Sequence, residues 1–385
     1  MKRLLILFGL LAVGSALFAG CGGGGSSSSS SSSSSSTTGG GGSETTSADA
    51  PTINAMWTLG GPEKDGGYNE GAMIPSAEAP VEKFPGQVSV TFNPETTFDE
   101  RATQILQQSV ANGTNFYFDT QGLTTLVSPV CAENQELKCF LAGDPEKQGP
   151  NTRSWLPADW NLNYLAGITA GLTTKSGKVG IVVSYDVPVT KTVVNSFALG
   201  CQSVRPDCEV RTVYLENYFD PPKAAQATES LIDVGADVIR NYVDDPTFCK
   251  VAEERGVYAV GEFANFEKAC PGSQLMATVW DLSGYVDEQT EEILDGTWKG
   301  GSHDIIEIGT EESVPHLEGW GSFVPAKVRS QVETVLDEIV AGKDVIVGPI
   351  YDQKGKLQYK EGEPVPLKVL GYEWEWFVRG VANAS

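Results

Sequence analysis

Two histidines, His303 and His316, and 50 acidic side chains are the raw material for catalysis in this 385-residue chain. Neither histidine has a nucleophile beside it in sequence, and no GxSxG elbow or GxGxxG fingerprint follows a strand-like run. The segment GLTTKSGKV (171–179) is a near miss for a phosphate-binding loop. Gly171 and Gly177 enclose five residues where the motif needs four, and Val179 stands where Ser or Thr should follow the lysine. It reads as a helix end, an SGK turn and a strand. Carboxylate pairs abound, but a chain this acidic shows them by chance, and spacing alone does not identify a glycosidase pair. With no CxxC and two histidines, a zinc site has little to stand on. No enzyme, metal or cofactor is expected.

One stretch still asks for a chemical reading: GGPEKDGGYNEG (60–71), directly after the apolar run INAMWTL. Gly, Pro and Asp suit a turn through positive φ, fixed φ and local side-chain hydrogen bonds. None of these explains Tyr68. Its ring either packs on its own loop or offers a face to a flat ligand.

The elements that would position such a ligand alternate along the chain. Apolar, β-rich runs occur at 53–59, 87–92, 115–120, 139–143, 178–185, 209–215, 236–242, 257–263 and 274–280. Between them lie helical patterns. ERATQILQQSVANG puts Ala102, Ile105, Leu106 and Val110 on one stripe and ends at Gly113. DPPKAAQATESLIDVG offers Asp220 as cap, prolines at the start and Gly235 at the end, and PAKVRSQVETVLDEIVAG stops at Gly342. Strand–helix alternation at this spacing predicts α/β architecture with largely parallel sheets, and a ligand crevice at the strand carboxyl ends. That many strands exceed one compact sheet, so two lobes are expected. VGPIYDQKGKLQYKEGE reads as a hairpin across QKGK.

The formal charge of −23 repels phosphate backbones, so nucleic acid is not expected as a partner. MKRLLILFGLLAVGSALFAGC has the layout of a secretory leader over residues 1–20, too short for a resident membrane helix. LFAGC resembles a bacterial lipobox, with Phe18 where leucine is usual, and makes Cys21 the lipidated residue. The Gly/Ser-rich run through residue 50 cannot bury apolar surface and reads as a flexible tether. The expected location is extracytoplasmic, lipid-anchored to a bacterial membrane. The other six cysteines fall as neighbours, Cys131 with Cys139, Cys201 with Cys208, and Cys249 with Cys270. An even count in an exported chain favours disulfides, each stabilising by roughly 2–3 kcal/mol if unstrained.

These residues resemble the basic membrane protein family of ABC-importer substrate-binding lipoproteins, which includes receptors for purine nucleosides and free purine bases. GPEKDGGYNEG is similar to that family's first strand-loop. NYLAGITAGLTTKSGKVGIVVS is similar to its most recognisable block, a tyrosine and two Ala-Gly steps before a Lys-Ser-Gly-Lys turn. NSFALG, DPPKAAQATESLIDVGADVI, ERGVYAVGEFAN, WDLSGYV, LDGTWKGG and the closing VGPIYDQKGKLQYKEGE follow in the family's order. The resemblance spans nearly all of residues 52–382. It implies a periplasmic-binding-protein-like type I fold with the ligand between the lobes.

Carried onto this chain, the resemblance puts Tyr68 under a purine ring, with Asp65 and Asn69 near the base edge. Stacking on an aromatic face contributes about 1–3 kcal/mol per base. Asp119 and Gln121 follow the third strand, and Asn265 and Trp280 face the crevice from the second lobe. Nucleoside-binding members carry a lysine where Trp280 stands and an Asp near Asn265. An indole accepts no hydroxyl proton and fills sugar space, which favours a free base such as adenine over a nucleoside. The first lobe is expected over residues 51–160 and 283–322, the second over 161–282 and 323–385. The implied cycle is a hinge closure in which the ligand stacks on Tyr68 and Trp280 covers it, followed by delivery from a monomer to a membrane permease. Two other readings keep the fold: a ligand sensor that signals to a receptor, and a binder of another small molecule such as a sugar.

Overall fold

A computed structural model describes residues 52–143, 149–311 and 313–383; the leader, Cys21 and tether expected for residues 1–50 lie outside them. The first half of the chain builds β1 (Ile53–Thr58), α1 (Ile74–Lys83), β2 (Val88–Asn93), α2 (Glu100–Ala111), β3 (Phe116–Asp119), α3 (Thr124–Glu133), β4 (Lys138–Ala142) and β5 (Thr152–Pro157). The chain then crosses into α4 (Asp159–Thr173), β6 (Lys178–Val183), α5 (Pro188–Val204), β7 (Glu209–Tyr214), α6 (Pro221–Asp233), β8 (Val238–Tyr242), α7 (Thr247–Glu254), β9 (Tyr258–Phe263) and β10 (Gln274–Val279). It ends with α8 (Ser283–Leu294), β11 (His303–Ile306), β12 (His316–Glu318), α9 (Ala326–Val340), β13 (Ile350–Tyr351), β14 (Leu357–Tyr359) and β15 (Val381–Asn383).

Two sheets result. The first runs β11-β5-β4-β3-β1-β2 and is parallel throughout; the second runs β12-β10-β9-β8-β6-β7-β15, with only β12 antiparallel. Helices cover both faces, so the central strands are apolar along their length, as parallel sheets require. Even β8, VIRNY, is buried at every position. Each sheet with its helices forms one lobe.

Local chemistry sets the element ends. Asp99 caps α2 by accepting from the Arg101 N–H, and Asp220 caps α6 by accepting from the Lys223 N–H. Gly113, Gly235 and Gly342 follow their helices at φ of 98°, 98° and 90°, where a Cβ would be strained. The SGK turn is held by Asp237, whose carboxylate accepts the Lys175 and Ser176 N–H groups at 2.7 and 2.8 Å. The hairpin across QKGK pairs β13 with β14. Cysteines 131 and 139, 201 and 208, and 249 and 270 are disulfide-bonded.

The expected lobe boundaries need one correction. α8 packs on α1 and β11 joins β5 in the first sheet, but β12, expected in the first lobe with 283–322, pairs with β10 in the second sheet. The chain therefore crosses between Ile306 and His316. A short strand adding to an exposed sheet edge leaves no strong sequence signal of which edge it takes.

Candidate functional site

The carboxyl ends of the parallel strands face a cavity of about 340 Å³ between the two sheets. Successive strands deliver its walls: Gln121 after β3, Trp155 within β5, Ser184 after β6, Tyr218 after β7, Asp244 after β8 and Trp280 after β10. Most of the wall is aromatic or aliphatic. Asp244 is the one carboxylate, and no Lys, Arg or His is found among the described lining residues. Three polar atoms at this wall have no protein partner: both amide atoms of Gln121 and the hydroxyl of Ser184. Ser184 is 1 % exposed. Buried polar groups without partners are rare in folded proteins, and at a cavity wall they mark where a ligand or water completes the bonding.

Tyr68 is buried at the start of the π-helical turn 69–73 that leads into α1, and its ring lines the cavity. Its hydroxyl donates to the Thr120 carbonyl at 2.8 Å. Burial, and the nearby Asp244, push the phenol well above its ordinary range, so it stays protonated. The ring meets Phe263 edge-to-face at 4.9 Å and Trp280 at 5.8 Å, with interplanar angles of 69° and 75°. A heterocycle between two parallel plates needs about 7 Å, twice a carbon contact distance. The expected cover by Trp280 over a ligand lying on Tyr68 is therefore not the arrangement seen; a flat ligand lies against this aromatic corner instead of within it. Phe263 adopts φ of 72°, rare for a bulky residue and the kind of backbone strain that collects at ligand sites.

Trp280 spends its indole N–H on Asp159 Oδ1 at 3.0 Å. Asp159 belongs to a buried polar group with Arg240, Glu262, Asn163 and Thr278. Arg240 donates to Glu262, to Asn163 Oδ1 at 2.9 Å, to the Gly261 carbonyl at 3.0 Å and to Thr278 Oγ1 at 3.0 Å. One guanidinium serves two carboxyls, and desolvation raises Asp159 to about 6 and Glu262 well above its usual range. The network fixes the indole ring from behind, leaving its other surface to the cavity.

Four expected ligand residues do not reach the wall. Asp65 accepts the N–H groups of Gly67, Asn69 and Glu70 at 2.8, 2.8 and 3.0 Å, so its carboxylate organises the turn under Tyr68. Burial raises it to about 6 against those hydrogen bonds. Asn69 is fully buried and donates to the Pro62 carbonyl. Asp119 holds the turn after β3 by accepting the Gln121 N–H at 2.9 Å, and burial pushes it up to about 7. Asn265 is exposed on the outer side, accepting from the Glu267 N–H and Gln274 Nε2 at 2.9 and 2.8 Å. Tyr68, Gln121 and Trp280 do line the cavity. Asp244, Ser184, Tyr218, Tyr242 and Phe263 also line it without being singled out in the sequence; the available signal was their place at strand carboxyl ends.

The glycines of 60–71 answer a different need. A Cβ on Gly67 would sit 2.5 Å from the Asp244 carbonyl oxygen, and one on Gly71 would collide with the Ala264 methyl. Gly66, at φ of 76°, abuts Pro246, which a Cβ would meet at 3.1 Å. All three neighbours belong to the opposite lobe. At these three positions glycine is needed because the opposite lobe packs directly against their backbone.

Comparison with known proteins agrees with this geometry. The model of the family described as ABC transporter substrate-binding protein PnrA-like matches residues 97–313. A purine-binding protein of Brucella abortus (strain 2308) is 29% identical over 303 residues, covering 78% of this chain and 85% of its own. A Haloferax volcanii protein named as a putative ABC transporter glucose-binding protein is 30% identical over 190 residues, about half of each chain (49% and 48%). Among solved structures, an ABC transporter solute-binding protein of Aeropyrum pernix K1 superposes with a TM-score of 0.65 at 18% identity, covering 77% of this chain and 94% of its own. One from Conexibacter woesei DSM 14684 does so with a TM-score of 0.58 at 21%, covering 76% and 97%. The fold is that of these two-lobed binders, and the chain belongs to the PnrA-like family of ABC transporter substrate-binding proteins.

Proposed function

We propose that this extracytoplasmic ABC substrate-binding protein takes up a purine, a free base in preference to a nucleoside, in the cavity between its lobes and hands it to its permease. The observation that carries the reading is the aromatic cavity with partnerless polar atoms, Gln121 Oε1 and Nε2 and Ser184 Oγ, at its wall. Such a wall suits a flat heterocycle with a few hydrogen-bonding edges. With no Lys, Arg or His among the described lining residues, a phosphate would lie there unpaired, so a nucleotide is excluded from the reading. The purine-binding relative over 78% of the chain points the same way. Within this reading, Tyr68, Gln121 and Trp280 act on the ligand; Asp65 and Asp119 position the loops that carry the first two. Anchoring through Cys21 completes the proposal.

The Haloferax relative supports a second reading, a sugar, since aromatic walls also bind sugar faces. A hexose carries hydroxyls around its whole rim, which this largely apolar wall would leave unpartnered at a cost for each. Titration calorimetry with adenine, guanine, hypoxanthine, adenosine, guanosine and glucose decides. The expected result is micromolar or tighter binding of a free base. Silence across the purines refutes the purine assignment, and adenosine binding above adenine refutes the preference for the base.

A further inference from the structure

Two adjacent aspartates follow β8. Asp245 plays an evident structural part, because its Oδ1 accepts the Thr247 N–H at 2.7 Å and so starts α7. Asp244 plays none. It is 4 % exposed, its backbone N–H bonds the Tyr218 carbonyl at 2.9 Å, and its side chain lies on the cavity wall. Among the described residues no donor reaches its carboxyl and no cation faces it. The groups around it are Asp65 from the facing loop of the first lobe, Asp245 beside it, and the phenols of Tyr68, Tyr185 and Tyr218. The nearest basic side chains act elsewhere, Lys250 on Asp245 and Lys223 on Tyr185.

An isolated carboxylate among aromatic rings and other acids is costly to keep ionised, and such a group ordinarily takes up a proton. Burial first, then Asp65 and Asp245, raise Asp244 well above the usual carboxylate range. A neutral carboxylic acid is a different tool from a carboxylate: its hydroxyl donates while its carbonyl oxygen accepts. That pair matches a planar edge with an acceptor next to an N–H donor, the ring nitrogen and amino group of an aminopurine, for instance.

We propose that Asp244 is the residue that reads the ligand's edge, and that it does so as a neutral acid, selecting a heterocycle that presents a ring-nitrogen acceptor beside an exocyclic amino N–H. This rests on the purine reading of the cavity. The partnerless Gln121 amide complements the acid, since that amide too offers a donor beside an acceptor.

The test is calorimetry on the intact secreted domain with adenine, unsubstituted purine and 6-dimethylaminopurine, for the wild type, Asp244→Asn and Asp244→Ala. Asparagine keeps a donor beside an acceptor and cannot ionise. The expectation is that Asp244→Asn retains adenine within about threefold while Asp244→Ala loses roughly 30-fold or more. In the wild type, both analogues that lack an N–H on the edge bind at least about tenfold more weakly than adenine. Asn weakened as much as Ala, or 6-dimethylaminopurine bound as tightly as adenine, overturns the proposal. So does wild-type affinity that strengthens as pH rises, because an ionised carboxylate would then be the binding form. The wild-type measurements need no variant, so a misfolded Asp244→Ala does not blunt the test. Absence of any purine binding would instead remove the reading of the cavity itself.

Discussion

Glycines do the same geometric work at two places in this molecule, for opposite ends. Within the second lobe, α4 and α5 press together so closely that a Cβ on Gly167 would collide with the Phe197 carbonyl and one on Gly200 with the Tyr164 carbonyl. A Cβ on Gly171 would lie 2.7 Å from the Cys201 carbonyl in the same sense. Between the lobes, Gly67 meets the Asp244 carbonyl in the same manner, and Gly71 meets the Ala264 methyl. The first contact is part of the folded core and exists with or without ligand. The second joins the two lobes, and under the proposed function it forms as they close on the ligand. One residue type therefore reports stability at one site and closure at the other.

The largest effect should come from breaking the permanent contact. Gly200→Ala puts a methyl into a backbone carbonyl inside two packed helices with nowhere to yield. Overpacking of this kind costs typically 1–3 kcal/mol, and a backbone obstacle belongs at or above the upper end. Thermal or urea unfolding of the unliganded protein should show a loss of about 3 kcal/mol or more, or failure to accumulate folded protein. A variant as stable as the wild type would mean that α4 and α5 are not held at the spacing described.

The interlobe contact should respond in affinity instead. Gly67→Ala carries no positive-φ penalty, and on the proposed hinge closure its methyl meets the Asp244 carbonyl only when the lobes are shut. The unliganded melting temperature should stay within about 1 °C, a surface-like change. Affinity for whichever base binds should fall about 30-fold, since closure then leaves the lobes apart and ligand contacts incomplete. Gly71→Ala should behave alike. An unchanged affinity would remove the closed arrangement as the binding state, whereas a large loss of stability would merge the two contacts into one class.

Much of this frame is legible in the residues. The nine apolar runs between residues 53 and 280 all lie on strands, and the Asp99, Asp220, Gly113, Gly235 and Gly342 signals fall at helix ends. β5, TRSWLP, escaped because Thr, Arg and Ser dilute its apolar character before Trp155. β12 and β15 escaped because three-residue edge strands add on to a sheet already specified. The site is harder to read because of where side chains point. Asp65, Asn69 and Asp119 are turned back onto their own loops by local hydrogen bonds, and sequence spacing does not reveal which way a loop carboxylate faces. Asn265 is exposed and bonds the Glu267 N–H and Gln274, an orientation that sequence spacing does not reveal either. Asp244 sits in VDDP, which reads as the start of a helix; that is true of Asp245 and hides its neighbour.

The mildest effect should come from pH, and it too separates lobe from interface. Asp119 is buried within the first lobe and its folded pKa is raised to about 7, chiefly by desolvation against several hydrogen bonds, with one carboxyl oxygen unpartnered. A carboxyl whose folded pKa is raised binds its proton more tightly folded than unfolded. Its stabilising contribution is complete below the unfolded value of 3.8 and is lost as pH rises through about 7. Between about pH 5 and about pH 7.5 this group should therefore cost the unliganded protein on the order of 2 kcal/mol, and Asp119→Asn should make the slope shallower, leaving the share of Asp65 and Asp159, which are raised to about 6. Gly67→Ala, which acts only on closure, should leave the slope as it is in the wild type. If Gly67→Ala flattened it instead, raised carboxyls at the lobe contact, Asp65 among them, would carry the slope, and stability and closure would be coupled through them.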